Sequence, residues 1–115
     1  MDTEQARIRL MHILQEAEAI ARHTAGCDLT GFQDNWLVRR SVQHGLLIIG
    51  EAVRNVPSAL KDKYPEVPWE RIRALGNVLR HEYQHIDDDR IWDIVTVNLP
   101  TLAKVIRHML AELEC

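Results

Sequence analysis

Four stretches of the chain repeat apolar residues at intervals of three and four, the spacing of a helix with one covered side. From about Asp2 to Arg22, Ile8, Met11, Leu14, Ala17 and Ile20 follow at steps of three, with Leu10, Ile13 and Ala21 beside them. The segment "HTAGCDLTGF", with two glycines and an aspartate, predicts a turn. A second helix is expected from Phe32 to about Asn55, carrying Trp36, Val42, Leu46, Ile49 and Val53 on one side, and Leu47 and Ile48 widen that stripe. An apolar surface covering more than half of a helix needs two neighbours. The second helix should therefore be central in a bundle, or partly buried against another copy. Gly50, inside "LLIIGEAV", weakens a helix unless it lets another backbone approach closely.

"NVPSALKDKYPEVPW" holds three prolines and supports only a short helical piece around Ser58 to Lys63. A third helix is predicted to start near Pro68, a residue suited to a first turn, and to run to about Ile86. A fourth follows an N-cap at Asp87 or Asp88 and continues to about Glu112. Its core side is Ile91, Ile94, Val95, Leu99, Leu102, Val105, Ile106, Met109, Leu110 and Leu113. Pro100 removes the bond to the Thr96 carbonyl, but the apolar pattern resumes in phase, which predicts a kink and not a break. No run alternates as a strand would. The expected fold class is all-α, an antiparallel bundle of four main helices with a short extra helix between the second and third.

At 115 residues the chain is long enough for one core and short for two, so a single domain over 1–115 is expected. Hydrophobic residues at 46% and charged residues at 27% exclude disorder and fibrous repeats as the main state. The N-terminal stretch mixes charge into every turn and has neither a continuous apolar signal region nor a spanning segment, which predicts a cytoplasmic protein without membrane contact. Cys27 and Cys115 form no C-x-x-C and are expected to be reduced thiols. A formal charge of −3 exerts no global pull on nucleic acid, so contact would depend on local clusters. Arg39 and Arg40 form one, and Arg71, Arg73 and Arg80 another, with Asp87, Asp88, Asp89 and Asp93 just beyond.

The third helix carries the candidate chemistry. With about 100° per residue, Ile72, Leu75, Leu79, Tyr83 and Ile86 share one stripe, with Glu82 at its margin. The opposite arc holds Arg73, Asn77, His81, Gln84 and His85, flanked by Arg80. Ala74 and Val78 lie in that arc too; a wet face has little use for them, whereas an interface between subunits would explain both. "HEYQH" also spells the zinc-hydrolase pattern, His81 and His85 standing one turn apart with Glu82 between them. No third histidine follows at the extended spacing, Glu112 or Glu114 would have to complete the site from the far end of another helix, and Glu82 projects toward the core margin. The zinc reading is the weak alternative.

The opening "RIRLMHILQEAEAI", then "LIIGEAV", "YPEVPWERI", "GNVLRHEYQHID", "IWDIV" and "NLPTLAKVI" occur in one order along nearly the whole chain. That series resembles the HepT-like branch of the HEPN-domain proteins, small all-helical ribonuclease toxins paired with a minimal nucleotidyltransferase antitoxin. In that family the corresponding helix carries an Arg, four to six residues, a His and, two further on, a Tyr. His81 and Tyr83 match the end of the motif, and Asn77 matches the polar residue after the Arg. The arginine itself is missing, because the allowed positions are Gly76, Leu75 and Ala74. Arg80, one turn after Gly76, and Arg73, in line with Asn77 and His81, are the two substitutes able to aim a guanidinium at phosphate.

The resemblance implies RNA cleavage without metal or other cofactor, in which the ribose 2′-hydroxyl attacks the adjacent phosphorus. His81 would move the proton, Arg80 or Arg73 would hold the phosphate and Asn77 would orient it. It further implies a homodimer that joins two such helices in a cleft, and adenylylation of Tyr83 by the antitoxin as the silencing step. The same tyrosine also suits a structural role, its ring packed in the stripe. A rival class is a helical binding module for a nucleotidyltransferase that has lost cleavage with its arginine.

Overall fold

The computed structural model describes residues 3–82 and 86–114. Among these, every regular element is helical: α1 (Thr3–Thr24), α2 (Leu29–Asp34), α3 (Trp36–Arg54), α4 (Ser58–Lys61), α5 (Trp69–Glu82), α6 (Asp88–Asp93), a π turn (Ile94–Asn98) and α7 (Leu99–Leu113). The four main bodies are α1, α3, α5 and the continuous α6–π–α7 rod. The all-α bundle expected from the periodicity is the fold of the chain.

Helix α1 has the predicted period but is rotated from the predicted side. Ala6, Leu10, Ile13, Ala17 and Ile20 are buried, Met11 and Leu14 are half-buried, and Ile8 is exposed. The stripe centred on Leu10 and Ile13 is the more continuous of the two, and burial follows it. The helix ends where Thr24 turns its hydroxyl back onto the Ile20 carbonyl at 2.7 Å and Gly26 takes a φ of 78°. That left-handed value favours glycine.

The predicted second helix is in fact two. Asp28 caps α2 by accepting from the Gly31 N–H at 2.8 Å, so the expected turn 23–32 already contains the start of a helix. Asn35, in an extended conformation, then breaks the path and caps α3 by accepting from the Val38 N–H at 3.1 Å. The cap at Asn35 overrode a periodicity that runs through it. One consequence is that Trp36, placed by sequence on the apolar stripe, stands 61% exposed at the start of α3. Phe32 instead anchors α2, fully buried with its ring 5.1 Å from that of Trp92.

Beyond Trp36 the wide apolar face of α3 does what its width required. It packs against α1 on one side and α5 on the other, burying Val42, Leu46, Ile49 and Val53. The crossing with α5 is formed by two glycines: a Cβ built on Gly50 would lie 2.8 Å from the Cα of Gly76, and the converse holds. Gly50 therefore has the close-approach role that its position inside the helix predicted, and Gly76 is its partner.

The 55–68 connection is folded rather than loose. Val56 and Val67 are buried, Trp69 Nε1 donates to the Lys61 and Tyr64 carbonyls at 3.1 and 3.0 Å, and Lys61 Nζ donates to the Val53 carbonyl at 3.2 Å. The fourth predicted helix begins after Asp87, whose carbonyl accepts from Arg90 and Ile91. The disturbance expected at Pro100 takes the form of a wide turn: the Leu99 N–H reaches the Ile94 carbonyl five residues back. Proline has no N–H to give, and widening the preceding turn accommodates it while keeping the apolar face in phase. Ile91, Ile94, Val95, Leu99, Leu102, Val105, Ile106 and Met109 are all buried; Leu110 and Leu113 are partly so. Among the described residues, no helix is long and apolar enough to cross a membrane.

Candidate functional site

The last two turns of α5 leave the bundle polar side out. Asn77, Arg80 and His81 are exposed, Ala74 and Val78 are half-buried, and Ile72, Leu75, Gly76 and Leu79 face inward. One helix thus holds α3 with one side and presents an imidazole, an amide and a guanidinium on the other. Tyr83 and His85 lie outside the described residues, and with them the modification site and the second imidazole of "HEYQH". Among the described residues no group of three His, Cys, Asp or Glu side chains is placed to hold a metal.

The two candidate arginines differ in what already occupies them. Arg73 is gripped by Glu70 one turn earlier, its Nε lying 2.9 and 3.0 Å from the two carboxylate oxygens and its Nη2 also bonded to Oε1. The same fork holds the Glu70 carboxyl below, and the Arg73 guanidinium above, their ordinary pKa values. Arg80 meets Glu51 of α3 only at 3.5 Å, the limit of a hydrogen bond, and its side chain is 54% exposed. Arg80 is the looser of the two, and it projects along the α3 side of the helix, whereas His81 stands about 100° further round.

At position 76 the absence of an arginine has a physical cause. Gly76, the position five residues before His81, has only 2.8 Å between a built Cβ and the Gly50 Cα, with the Leu46 carbonyl at 3.2 Å. No side chain fits there. Leu75, six before, is buried, and Ala74, seven before, is half-buried. Arg80 lies one turn beyond Gly76, on the side where a residue at 76 would have pointed.

Against Leu79, the neighbour of Arg80 in α5, runs a groove that sequence reasoning missed. Arg40, Gln43, His44 and Leu47 of α3 and Leu79 of α5 line a hollow of about 270 Å³. The signal was present: Trp36, Arg40, His44, Leu47 and Glu51 recur at steps of three and four, an outward stripe on the helix. Larger hollows lie elsewhere, about 490 Å³ between α1 and α7 and about 660 Å³ between the connection and α7.

A second cluster of titratable groups sits at that last hollow. Tyr64 Oη donates to Glu112 Oε1 at 2.6 Å, and His108 Nε2 lies 2.8 Å from the same oxygen. The bond to Glu112 pushes the Tyr64 hydroxyl up to about 12. A pKa raised in the folded state means stability that is whole below pH about 10, the usual tyrosine value, and is lost as pH rises toward about 12. In an alkaline absorbance titration, the transition removed by Tyr64→Phe should have its midpoint near 12, and Glu112→Gln should lower it. A midpoint near 10 in the unmutated protein would show that the bond does not form.

The match to known proteins spans the site and most of the fold. Residues 13–109 match the family model described as "Ribonuclease HepT-like". A protein of Caldanaerobacter subterraneus subsp. tengcongensis, whose name marks it as an inferred RNase, is 34% identical over 101 residues, 88% of this chain and 90% of that one. A Methanocaldococcus jannaschii protein with a name of the same kind is 34% identical over 104 residues, 90% of this chain and 95% of its own length. The "Probable ribonuclease HepT" of Thermococcus cleftensis is 30% identical over 93 residues, 81% of this chain and 84% of that protein. No solved structure matches significantly. A family model aligned over most of the chain, with relatives sharing a third of its residues across nearly their whole length, shows that the chain belongs to the HepT-like ribonuclease family.

Proposed function

We propose that the protein is an endoribonuclease that cleaves RNA without a metal and acts as a homodimer. His81 takes the proton of a ribose 2′-hydroxyl as the 2′-oxygen bonds to the adjacent phosphorus. The bond from phosphorus to the 5′-oxygen breaks, and that oxygen leaves with a proton returned by an imidazolium. The products are a 2′,3′-cyclic phosphate and a free 5′-hydroxyl. Arg80 offsets the charge that builds on the phosphorane oxygens, and Asn77, one turn before His81, orients the phosphate. The observation that carries this reading is His81 exposed at the end of α5, next to an arginine only loosely engaged, in a chain of this family.

Ala74 and Val78, half-buried in the same arc, support a second copy packing there. The family further supports a toxin partnered by a nucleotidyltransferase antitoxin, with Tyr83 as the adenylyl acceptor. Intact mass after incubation with such a partner and ATP should rise by one adenylyl group, and Tyr83→Phe should abolish the gain.

Steady-state cleavage of RNA in EDTA, with each arginine replaced in turn, tests the assignment. Arg80→Ala should lower kcat by about 10²- to 10³-fold, the usual effect of removing one charge-stabilising donor. Arg73→Ala should leave kcat near its original value, because Glu70 already holds that guanidinium. The reverse pattern would move the clamp to Arg73. A second reading, a binding module that no longer cleaves, is favoured by the packing that bars an arginine from position 76. Purified protein without any RNA cleavage would establish it over the nuclease.

A further inference from the structure

At the start of α3, Trp36 is 61% exposed and Leu37 66%, although both are large and apolar. Trp36 is not loose: the Arg40 guanidinium lies over its ring at 5.5 Å from the centroid, one turn along the same helix. A cation on one face of an indole steadies the ring and leaves the other face to solvent. From there the outward stripe of α3 continues through Arg40, Gln43 and His44, which line the groove beside Leu79, to Glu51, which meets Arg80. An aromatic plate followed by guanidinium, amide and imidazole groups, leading to a phosphate-directed arginine, has the composition of a track for single-stranded nucleic acid.

We infer that Trp36 is a stacking platform for an unpaired base of a single-stranded RNA substrate, with Arg40 and His44 carrying the adjoining backbone along the α3–α5 groove toward Arg80. The inference rests on the ribonuclease reading and adds to it the substrate class and the entry path. A duplex offers no free base face, so the platform selects single strands. Trp36 and Glu51 are fifteen residues apart, about 22 Å along the helix. The stacked base is therefore remote from the scissile bond, and the platform acts on binding rather than on chemistry. An apolar pair at a helix start also suits contact with a second copy. The basic and amide lining of the adjoining groove favours RNA.

The test uses a labelled 2′-O-methylated oligonucleotide of mixed sequence, which the 2′-oxygen pathway cannot cleave, offered single-stranded and as a duplex. Trp36→Ala should weaken single-strand binding about tenfold and Trp36→Phe much less, with duplex binding unchanged by either. On cleavable RNA, Trp36→Ala should raise KM and spare kcat. Sedimentation of each variant accompanies the assay. Equal binding by Trp36→Ala and the unmutated protein overturns the platform and leaves the nuclease assignment standing. Weakened binding that appears only together with dissociation of copies makes the patch a protein interface and likewise overturns it. An unmutated protein that neither binds nor cuts RNA overturns both readings.

Discussion

Gly76→Arg, which would restore the family arginine at its motif position, should unfold the protein instead of activating it. Even a methyl group at Gly76 or Gly50 would overlap the facing backbone, with Cα 2.8 Å from the new Cβ. Overpacking of this kind costs about 1–3 kcal/mol, offset by at most about 1 kcal/mol from the better helix propensity of alanine. Each kcal/mol lowers Tm by about 4–8 °C in a domain near this size. Gly76→Ala and Gly50→Ala should therefore melt several degrees early, and their effects should not add, because the two residues touch. Arginine adds a charge that must be buried or must push the helices apart. That penalty is comparable to the whole stability of a small domain, about 5–15 kcal/mol. Thermal unfolding followed by circular dichroism reads all three variants. A Gly76→Arg protein melting with the unmutated one would show that α3 and α5 do not meet at these glycines.

His81→Ala should have the opposite profile, intact folding with lost chemistry. The side chain is exposed at the end of α5, so its removal should change stability by no more than about 0.5 kcal/mol. General acid–base catalysis contributes about 10²- to 10⁴-fold, and the rate of RNA cleavage should fall by that factor while Tm stays in place. The pairing of the two readouts matters: a slow variant that also melts early would say only that the fold was damaged. A variant that cleaves at the original rate would remove His81 from the mechanism.

What the sequence disclosed, and what it hid, divides along the range of the interactions concerned. Helical period is local, so the four main helices, the N-cap region at Asp87 and the broad covered face of α3 were readable from spacing. The role of Gly50 was readable too, because a glycine amid "LLIIGEAV" has few other reasons to be there. Its partner was not. Only the three-dimensional crossing shows Gly76 facing Gly50, and with it the reason why no arginine stands five residues before His81. The split between α2 and α3 was lost because Asn35 acts through one side-chain bond to Val38, a signal weaker on paper than the apolar repeat running across it. Trp36 was misplaced for the same reason.

Within the candidate site, the outward position of Asn77, Arg80 and His81 followed from the wheel of α5. The difference between Arg73 and Arg80 did not, since Glu70 grips the one and Glu51 barely reaches the other. The groove of Arg40, Gln43 and His44 needed α5 laid beside α3 before it existed at all.

The assignment of His81 meets its most direct test in the ends of the fragments it is held to produce. The unmutated protein and His81→Ala are each incubated in EDTA with a single-stranded RNA oligonucleotide, and the fragments are weighed by mass spectrometry. The unmutated protein should leave a 2′,3′-cyclic phosphate on one fragment and a 5′-hydroxyl on the other, while the His81→Ala sample remains intact. Fragments with a 5′-phosphate, cleavage abolished by EDTA, or equal cleavage by the variant would contradict it.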